Sequence, residues 1–198
     1  MLGPGLDSRP YRLAWPPGTA LFELAGAEAH AVAAAALKAA GARVPRACLL
    51  RRVAADVRAG HGLAAAAQAA GLRGDRLSAW ALQGLPAMGQ DVDELAALLA
   101  AVGDTAARGS TVAGELAAPS RAAAEDLLAG AGLLGRVMSL PEAAEELDWS
   151  EANQHPADAQ RWLFTAQQQR LSEAQMSTYS AHVLAAEETD EDFFGHFS

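Results

Sequence analysis

Two rhythms alternate along this chain: short apolar or β-branched runs, and alanine-rich stretches whose larger apolar side chains recur at helical spacing. That alternation predicts an open α/β sheet with flanking helices. Residues 19–24 read as a strand, followed by a helix over 26–40 that packs through Val32 and Leu37 and stops at Gly41. Residues 48–55 read as the next strand, 63–70 as a helix stopped by Gly71, and 77–82 as a third strand carrying Trp80. The best-defined helix opens at Asp91. Glu94 stands three residues on, as in a capping box, and Val92, Leu95, Leu98, Leu99 and Val102 keep one face apolar. A strand over 110–116 and a helix from Ser120 to about Leu128 follow. Glycines 130, 132 and 135 mark a loop, and residues 161–166 look like a late strand. Residues 167–186 offer Leu171, Met176, Tyr179, Val183 and Leu184 to a last helix.

Composition adds limits. The 198 residues, 51% hydrophobic, suit one domain, expected over 1–186. Residues 187–198 place five acids before Phe193, Phe194 and Phe197 and read as a disordered tail, with docking of its aromatic end on a partner as the other reading. A net charge of −9 argues against nucleic acid as the main partner, because phosphate binding needs a concentrated basic surface. Arg51, Arg52 and Arg58 read as solvated ends of one strand. No apolar run reaches the roughly 18 to 20 residues of a membrane span. A single cysteine, Cys48, suits a reducing compartment, and with no secretory pattern after Met1 the expected location is the cytoplasm.

Some chemistries find no residues to carry them. His30, His61, His155, His182 and His196 are scattered without metal-ligand spacing, so no metal site is expected. No G-x-S-x-G elbow exists. Glu142, Glu145 and Glu146 read as a solvated helix face.

The informative run is GPGLDSRPYRL, residues 3–13. Gly3 and Gly5 give the backbone freedom to approach a bound cofactor closely. Such a turn ordinarily follows a buried first strand, and only Met1 and Leu2 precede this one. Asp7 caps the short helix that follows, braced by Arg9 or Arg12, while Tyr11 and Trp15 read as packing residues.

Residues 5–24, GLDSRPYRLAWPPGTALFEL, resemble the leucine carboxyl methyltransferase family of S-adenosylmethionine-dependent enzymes. Asp7, Ser8, Arg9, Tyr11, Arg12, Leu13, Trp15, Pro16, Gly18, Thr19 and Glu23 fall in register with its pattern, and the likeness continues through residues 51–58 and 79–88. The resemblance implies a Rossmann-like class I methyltransferase sheet, here without its first strand, and S-adenosyl-L-methionine as cofactor. It places Gly3 and Gly5 in the cofactor turn and gives the Asp7 and Arg9 segment a second reading, as part of the pocket for the cofactor's methionine half. Asp56 and Val57 fall where the family's Asp-Leu pair meets adenine, and Gln83, Gly84 and Leu85 where it often has Glu-Gly-Leu. The family's ribose-binding Asp maps onto Ala25, with Glu23 as a candidate substitute. Loss of such a charged partner would cost on the order of 1.5 to 3 kcal/mol, about one to two decades of affinity.

The resemblance implies O-methylation of a carboxyl or hydroxyl group on a small-molecule or protein acceptor, with the acceptor-binding residues largely in an N-terminal helical segment absent from this chain. A catalytically weakened methyltransferase-like binding or structural module is the alternative, motivated by Ala25, Gln83 and the expected absence of the first strand. A dinucleotide dehydrogenase is a third reading, which the glycine turn suggests but which is disfavoured because Ser8 stands where the third glycine of its turn belongs and Glu23 fits the expected acid only loosely.

Overall fold

The computed structural model describes residues 1–3, 5–46, 48–148 and 160–182. Strands β1 (Ala20–Ala25) and β2 (Leu49–Ala54) pair in parallel, with Ala20 opposite Leu49 and Ala25 opposite Ala54. Strands β3 (Ala79–Leu82), β4 (Thr111–Ala117), β5 (Leu133–Ser139) and β6 (Arg161–Gln168) form a second ladder in the order β3-β4-β6-β5. β3 runs parallel to β4, and β6 runs antiparallel to both β4 and β5. The late strand therefore closes the sheet as an antiparallel element.

Between β1 and β3 stands Leu2, bridged in parallel to Leu24 on one side and Leu82 on the other. Four backbone bonds hold the segment: Leu24 N donates to Met1 O, Gly3 N to Leu24 O, Leu2 N to Ala81 O and Gln83 N to Leu2 O, at 2.8 to 3.0 Å. Counting this position as the first strand, the order across the sheet is 3-2-1-4-5-7-6 in chain sequence. The order reverses at Leu2. In doubly wound sheets, ligands lie outside the carboxyl ends of the strands at such a reversal.

Helix α1 (Arg9–Arg12) follows the glycine turn, α2 (Ala27–Ala39) joins β1 to β2, and α3 (Leu63–Ala69) joins β2 to β3. A 3-10 turn (Leu85–Met88) and α4 (Val92–Thr105) lead to β4, α5 (Arg121–Gly130) to β5, and α6 (Leu140–Glu146) follows β5. Residues 173–182 are helical. The expected tail, 187–198, lies outside the described residues. α4 bears the expected capping box: Asp91 Oδ1 accepts from Glu94 N at 2.8 Å, and Glu94 Oε2 accepts from Asp91 N at 3.2 Å. Its Leu95, Leu98, Leu99 and Val102 meet Leu63 of α3, Leu128 of α5 and the strand residues Leu82, Val112 and Leu116 in one buried core. α2 contributes less: Val32, expected to pack, is exposed, and only Ala33 of this helix is buried.

The loop expected around glycines 130 to 135 is strand β5 from Leu133 onward. Gly135 lies inside it opposite Ala166, where a Cβ would come 2.0 Å from Thr165 O. There the glycine marks a close approach of two strands, not a turn. The acidic face of α6 is also more than solvated: Glu142 pairs with Arg121 and closes a capping box on Ser139, and Glu146 pairs with Arg136.

The N-terminal amine donates to Phe22 O at 2.7 Å inside the sheet. Burial lowers its pKa from 8.0 to about 6, against an opposing pull from Glu23. Below pH 6 the amine is protonated in both folded and unfolded chains, and the folded state bears the cost of the buried charge. Between about 6 and 8 the unfolded chain binds more protons, so stability rises with pH. For this 198-residue chain the gain is expected to reach about 2 to 3 kcal/mol and level off above pH 8. Urea midpoints measured from pH 5.5 to 8.5 check it; a midpoint that falls across that interval contradicts it.

Candidate functional site

The carboxyl ends of β2, β1, the Leu2 segment and β3 form one edge, and the sequence-derived site residues fall along it. Gly3 continues directly from Leu2 with φ +64°, and a Cβ there would lie 2.4 Å from Gln83 O and 2.9 Å from Met88 Cε. Only glycine fits: the backbone is left-handed and the space is taken by the neighbouring strand end. Gly5 is also left-handed, at φ +52°, but its Cβ would meet nothing within 4 Å. The first glycine is thus required by contact and conformation together, the second by conformation alone.

Ala25 ends β1, is 4% exposed, and accepts Ala55 N at 3.0 Å through its carbonyl. Its methyl offers no acceptor to a ribose. Glu23, the candidate substitute, sits two residues back with its side chain 4% exposed and is bound by Arg52 Nε at 3.0 Å. Arg52 in turn donates to Tyr11 Oη at 2.5 Å. Glu23 is therefore occupied in tying β1 to β2 and α1.

Asp56 and Val57 follow β2; the Asp56 carboxylate is exposed and accepts Arg58 N at 2.9 Å. Gln83 follows β3, and its Oε1 is shielded and has no hydrogen-bond partner. Gly84 N donates to Glu115 Oε1 at 2.7 Å, so a carboxylate from β4 fixes the turn that carries Gln83. Glu115 escaped the sequence reading. Its signal was a lone charge in the otherwise apolar strand TVAGELA.

Asp7 and Arg9 form the expected pair, although the N-cap of α1 is Ser8 and not Asp7. Arg9 N, Nε and Nη2 all donate to the Asp7 carboxylate at 2.6 to 3.0 Å. Burial pushes the Asp7 pKa upward, but the Arg9 hydrogen bonds outweigh it and hold the carboxyl below its ordinary value. Trp15 Nε1 donates to Arg9 O at 3.1 Å and pins the segment that returns to β1.

Arg58, read from the sequence as a solvated strand end, spans two loops. Its Nη1 donates to Met88 O at 2.7 Å, and its Nη2 donates to Glu94 Oε2 at 3.0 Å and Gly89 O at 3.4 Å. Gln90 Nε2 donates back to Arg58 O. The loop after β2 is thereby fastened to the loop after β3. An exposed ion pair alone is worth little, so the effect of Arg58→Ala should fall on loop order more than on global stability. A loss below about 1 kcal/mol is expected, with faster proteolytic cleavage within residues 84–91. Unchanged cleavage there would show that the loops hold without Arg58.

Among the described residues no cluster of His, Cys, Asp and Glu could hold a metal ion, and no helix is long and apolar enough to cross a membrane.

The sheet order, with its reversal at Leu2 and its antiparallel β6, is that of the class I, Rossmann-like methyltransferases. Among solved structures, a CurJ carbon methyltransferase shares the fold with a TM-score of 0.53 and 14% identity, covering 85% of this chain and 47% of that one. A chain studied for the conversion of a disulfide bond into a thioacetal group during echinomycin biosynthesis does so with a TM-score of 0.55 and 15% identity, covering 94% and 80%. Within that class, residues 1–88 match the leucine carboxyl methyltransferase family, the family resembled by residues 5–24. O-methyltransferase 1, chloroplastic, of Oryza sativa subsp. japonica is 30% identical over 206 residues, covering 98% of this chain and 56% of the relative. A protein of Mycobacterium avium (strain 104), named as a candidate S-adenosyl-L-methionine-dependent methyltransferase, is 35% identical over 163 residues, covering 79% and 50%. The chain spans about half the length of these curated relatives.

Two features of the edge fit S-adenosylmethionine: a cradle at Gly3 that any Cβ would fill, and a shielded acceptor at Gln83 without a partner. Ala25 is the departure.

Proposed function

We propose that this chain is an S-adenosylmethionine-dependent O-methyltransferase acting on a carboxyl or hydroxyl group of a small-molecule or protein acceptor. The observation that carries the reading is the Gly3 turn, packed on Gln83 at the reversal of strand order. When bound, the cofactor supplies a methyl group already activated on a sulfonium. The chain's own work is binding and alignment. Gly3 and Gly5 bring backbone close to the methionine half. Asp56 would accept from the adenine amino group, and Val57 N–H would donate to the ring. Gln83 Oε1 contributes a neutral acceptor where the family often has a carboxylate, and Glu115 holds the Gln83 turn in place. Positioning an oxygen nucleophile in line with the methyl group supplies most of the acceleration in such a reaction.

A thermal shift tests the reading. Saturating S-adenosylmethionine at about 100 Kd stabilises a binding protein by roughly 2.7 kcal/mol, which for a chain of this size raises Tm by about 5 to 11 °C. NAD, the ligand of the dehydrogenase alternative, should leave Tm unchanged. A shift with NAD and none with S-adenosylmethionine at millimolar concentration would falsify the methyltransferase reading. No shift with either leaves the fold as a module without cofactor.

A further inference from the structure

Beside the cofactor edge lies a cavity of about 190 Å³. Leu85 and Pro86 of the 3-10 turn, Gln90, Asp91, Val92 and Leu95 at the start of α4, and residues 117–119, 123 and 127 from β4 and α5 line it. It adjoins the cofactor edge through the chain itself, since Leu85 follows Gln83 by two residues. An apolar cavity of about 150 Å³ holds a benzene-sized molecule, so this one has room for a group of roughly six carbons.

Its electrostatics are one-sided. No lysine, arginine or histidine lines it. The nearby arginines are committed elsewhere: Arg58, bonded to Gln90, pairs with Glu94; Arg121, two residues before Ala123, with Glu142; Arg161, opposite Ala117, with Glu115. The lining carboxylate, Asp91, caps α4. In the cofactor-free chain a carboxylate ligand would thus be desolvated without a protein cation to meet it.

One polar group is unspent. Gln90 donates through Nε2 to Arg58 O, which fixes the amide orientation, because the reverse would set two oxygens against each other. Its Oε1 is shielded from water and has no partner. A donor brought in with a ligand, accompanied by a small turn of the amide, would satisfy it.

We propose that this cavity binds the acceptor of the methyl group, and that it takes a neutral, hydroxyl-bearing aliphatic group of about six carbons, excluding a free carboxylate. This rests on the methyltransferase reading and narrows it from carboxyl or hydroxyl to hydroxyl. In the transfer, the new bond joins the hydroxyl oxygen to the methyl carbon as the carbon–sulfur bond breaks. The sulfonium leaves as a neutral thioether, and the hydroxyl proton passes to solvent.

The test uses the full 198-residue chain, methyl-labelled for NMR, with isohexanol, isohexyl methyl ether and isohexanoate as probes at pH 7.5. Isohexanol should shift the methyl resonances of Leu85, Val92, Leu95 and Leu127. The ether should bind about three- to tenfold more weakly for want of a donor, and isohexanoate at least about tenfold more weakly. Gln90→Leu should remove the preference for alcohol over ether. Ala123→Phe, which fills the cavity, should weaken all three; Leu127→Phe serves if Ala123→Phe does not fold. Isohexanoate binding as tightly as the alcohol, or no shift at these methyls at about 20 mM alcohol, overturns the proposal. Alcohol binding in a chain that shows no thermal shift with S-adenosylmethionine keeps the cavity as a binding site but removes its role as the acceptor site, which separates this failure from that of the parent reading.

Discussion

Gly3→Val is expected to weaken S-adenosylmethionine binding at least about a hundredfold, a loss of about 2.7 kcal/mol, and to destabilise the chain as well. At φ +64° an L side chain costs about 1 to 2 kcal/mol, and a β-branched one suffers most. The Cβ would also stand 2.4 Å from Gln83 O. That carbonyl cannot simply retreat, because Gln83 N is bonded to Leu2 O and Glu115 holds Gly84 beside it. The turn itself must move, and with it the backbone that approaches the cofactor. Gly5→Ala is the matched comparison. It carries the strain of a left-handed residue without a collision, so a stability loss of about 1 to 2 kcal/mol is expected with a much smaller change in affinity. Calorimetric titrations of the three proteins decide the matter; Gly3→Val binding within threefold of the parent would show that the contact is immaterial.

Leu2→Ala should produce the largest loss of stability for a single truncation. Leu2 is wholly buried, and its residue is the one that bridges β1 to β3. Removing its side chain leaves a cavity among Leu24, Leu82 and their neighbours in the central core. Buried leucine truncations cost about 2 to 5 kcal/mol, a large share of the roughly 5 to 15 kcal/mol that holds a typical domain together. A fall in Tm of about 4 to 20 °C follows for a chain of this size. Leu6→Ala, at a position 63% exposed, should change stability by less than about 0.5 kcal/mol. A Leu2→Ala loss below about 1 kcal/mol would mean that the Leu2 side chain adds little to the backbone bonds that join the two halves of the sheet.

Much of the fold was legible because local and long-range signals agreed. α4 announced itself through Asp91, Glu94 and its apolar face, and Asp91, Glu94, Leu95, Leu98, Leu99 and Val102 do in the structure what their spacing implies, whereas Val92, in the first turn, is exposed. β5 was not legible. Gly132 and Gly135 resemble turn punctuation, and the reason for Gly135, the nearness of the β6 backbone, is a tertiary contact invisible in a single strand. Val32 misled in the other direction: an apolar residue at helical spacing in a helix that buries only Ala33.

The site divides in the same way. Gly3 and Gln83 lie far apart in sequence, and the resemblance placed both at the cofactor; the structure adds that they touch. Arg58 looked like one charge in a basic cluster and is instead a clamp between two loops, because its partners are two backbone carbonyls and the distant Glu94, which no composition or spacing discloses. Glu23 looked available to replace the missing acid at Ala25, yet the parallel register sets it opposite Arg52. Pairing across strands decided its role.

The most direct test of the central claim, that the cofactor lies on the Gly3 turn at the reversal of strand order, is an amide NMR titration of the 198-residue chain with S-adenosylmethionine. Saturable shifts at Gly3, Gly5, Ala25, Asp56, Val57 and Gln83 are expected, with the amides of residues 173–182 unmoved. Saturable shifts that leave Gly3 and Gln83 in place and cluster elsewhere, or no shifts at millimolar cofactor, contradict it.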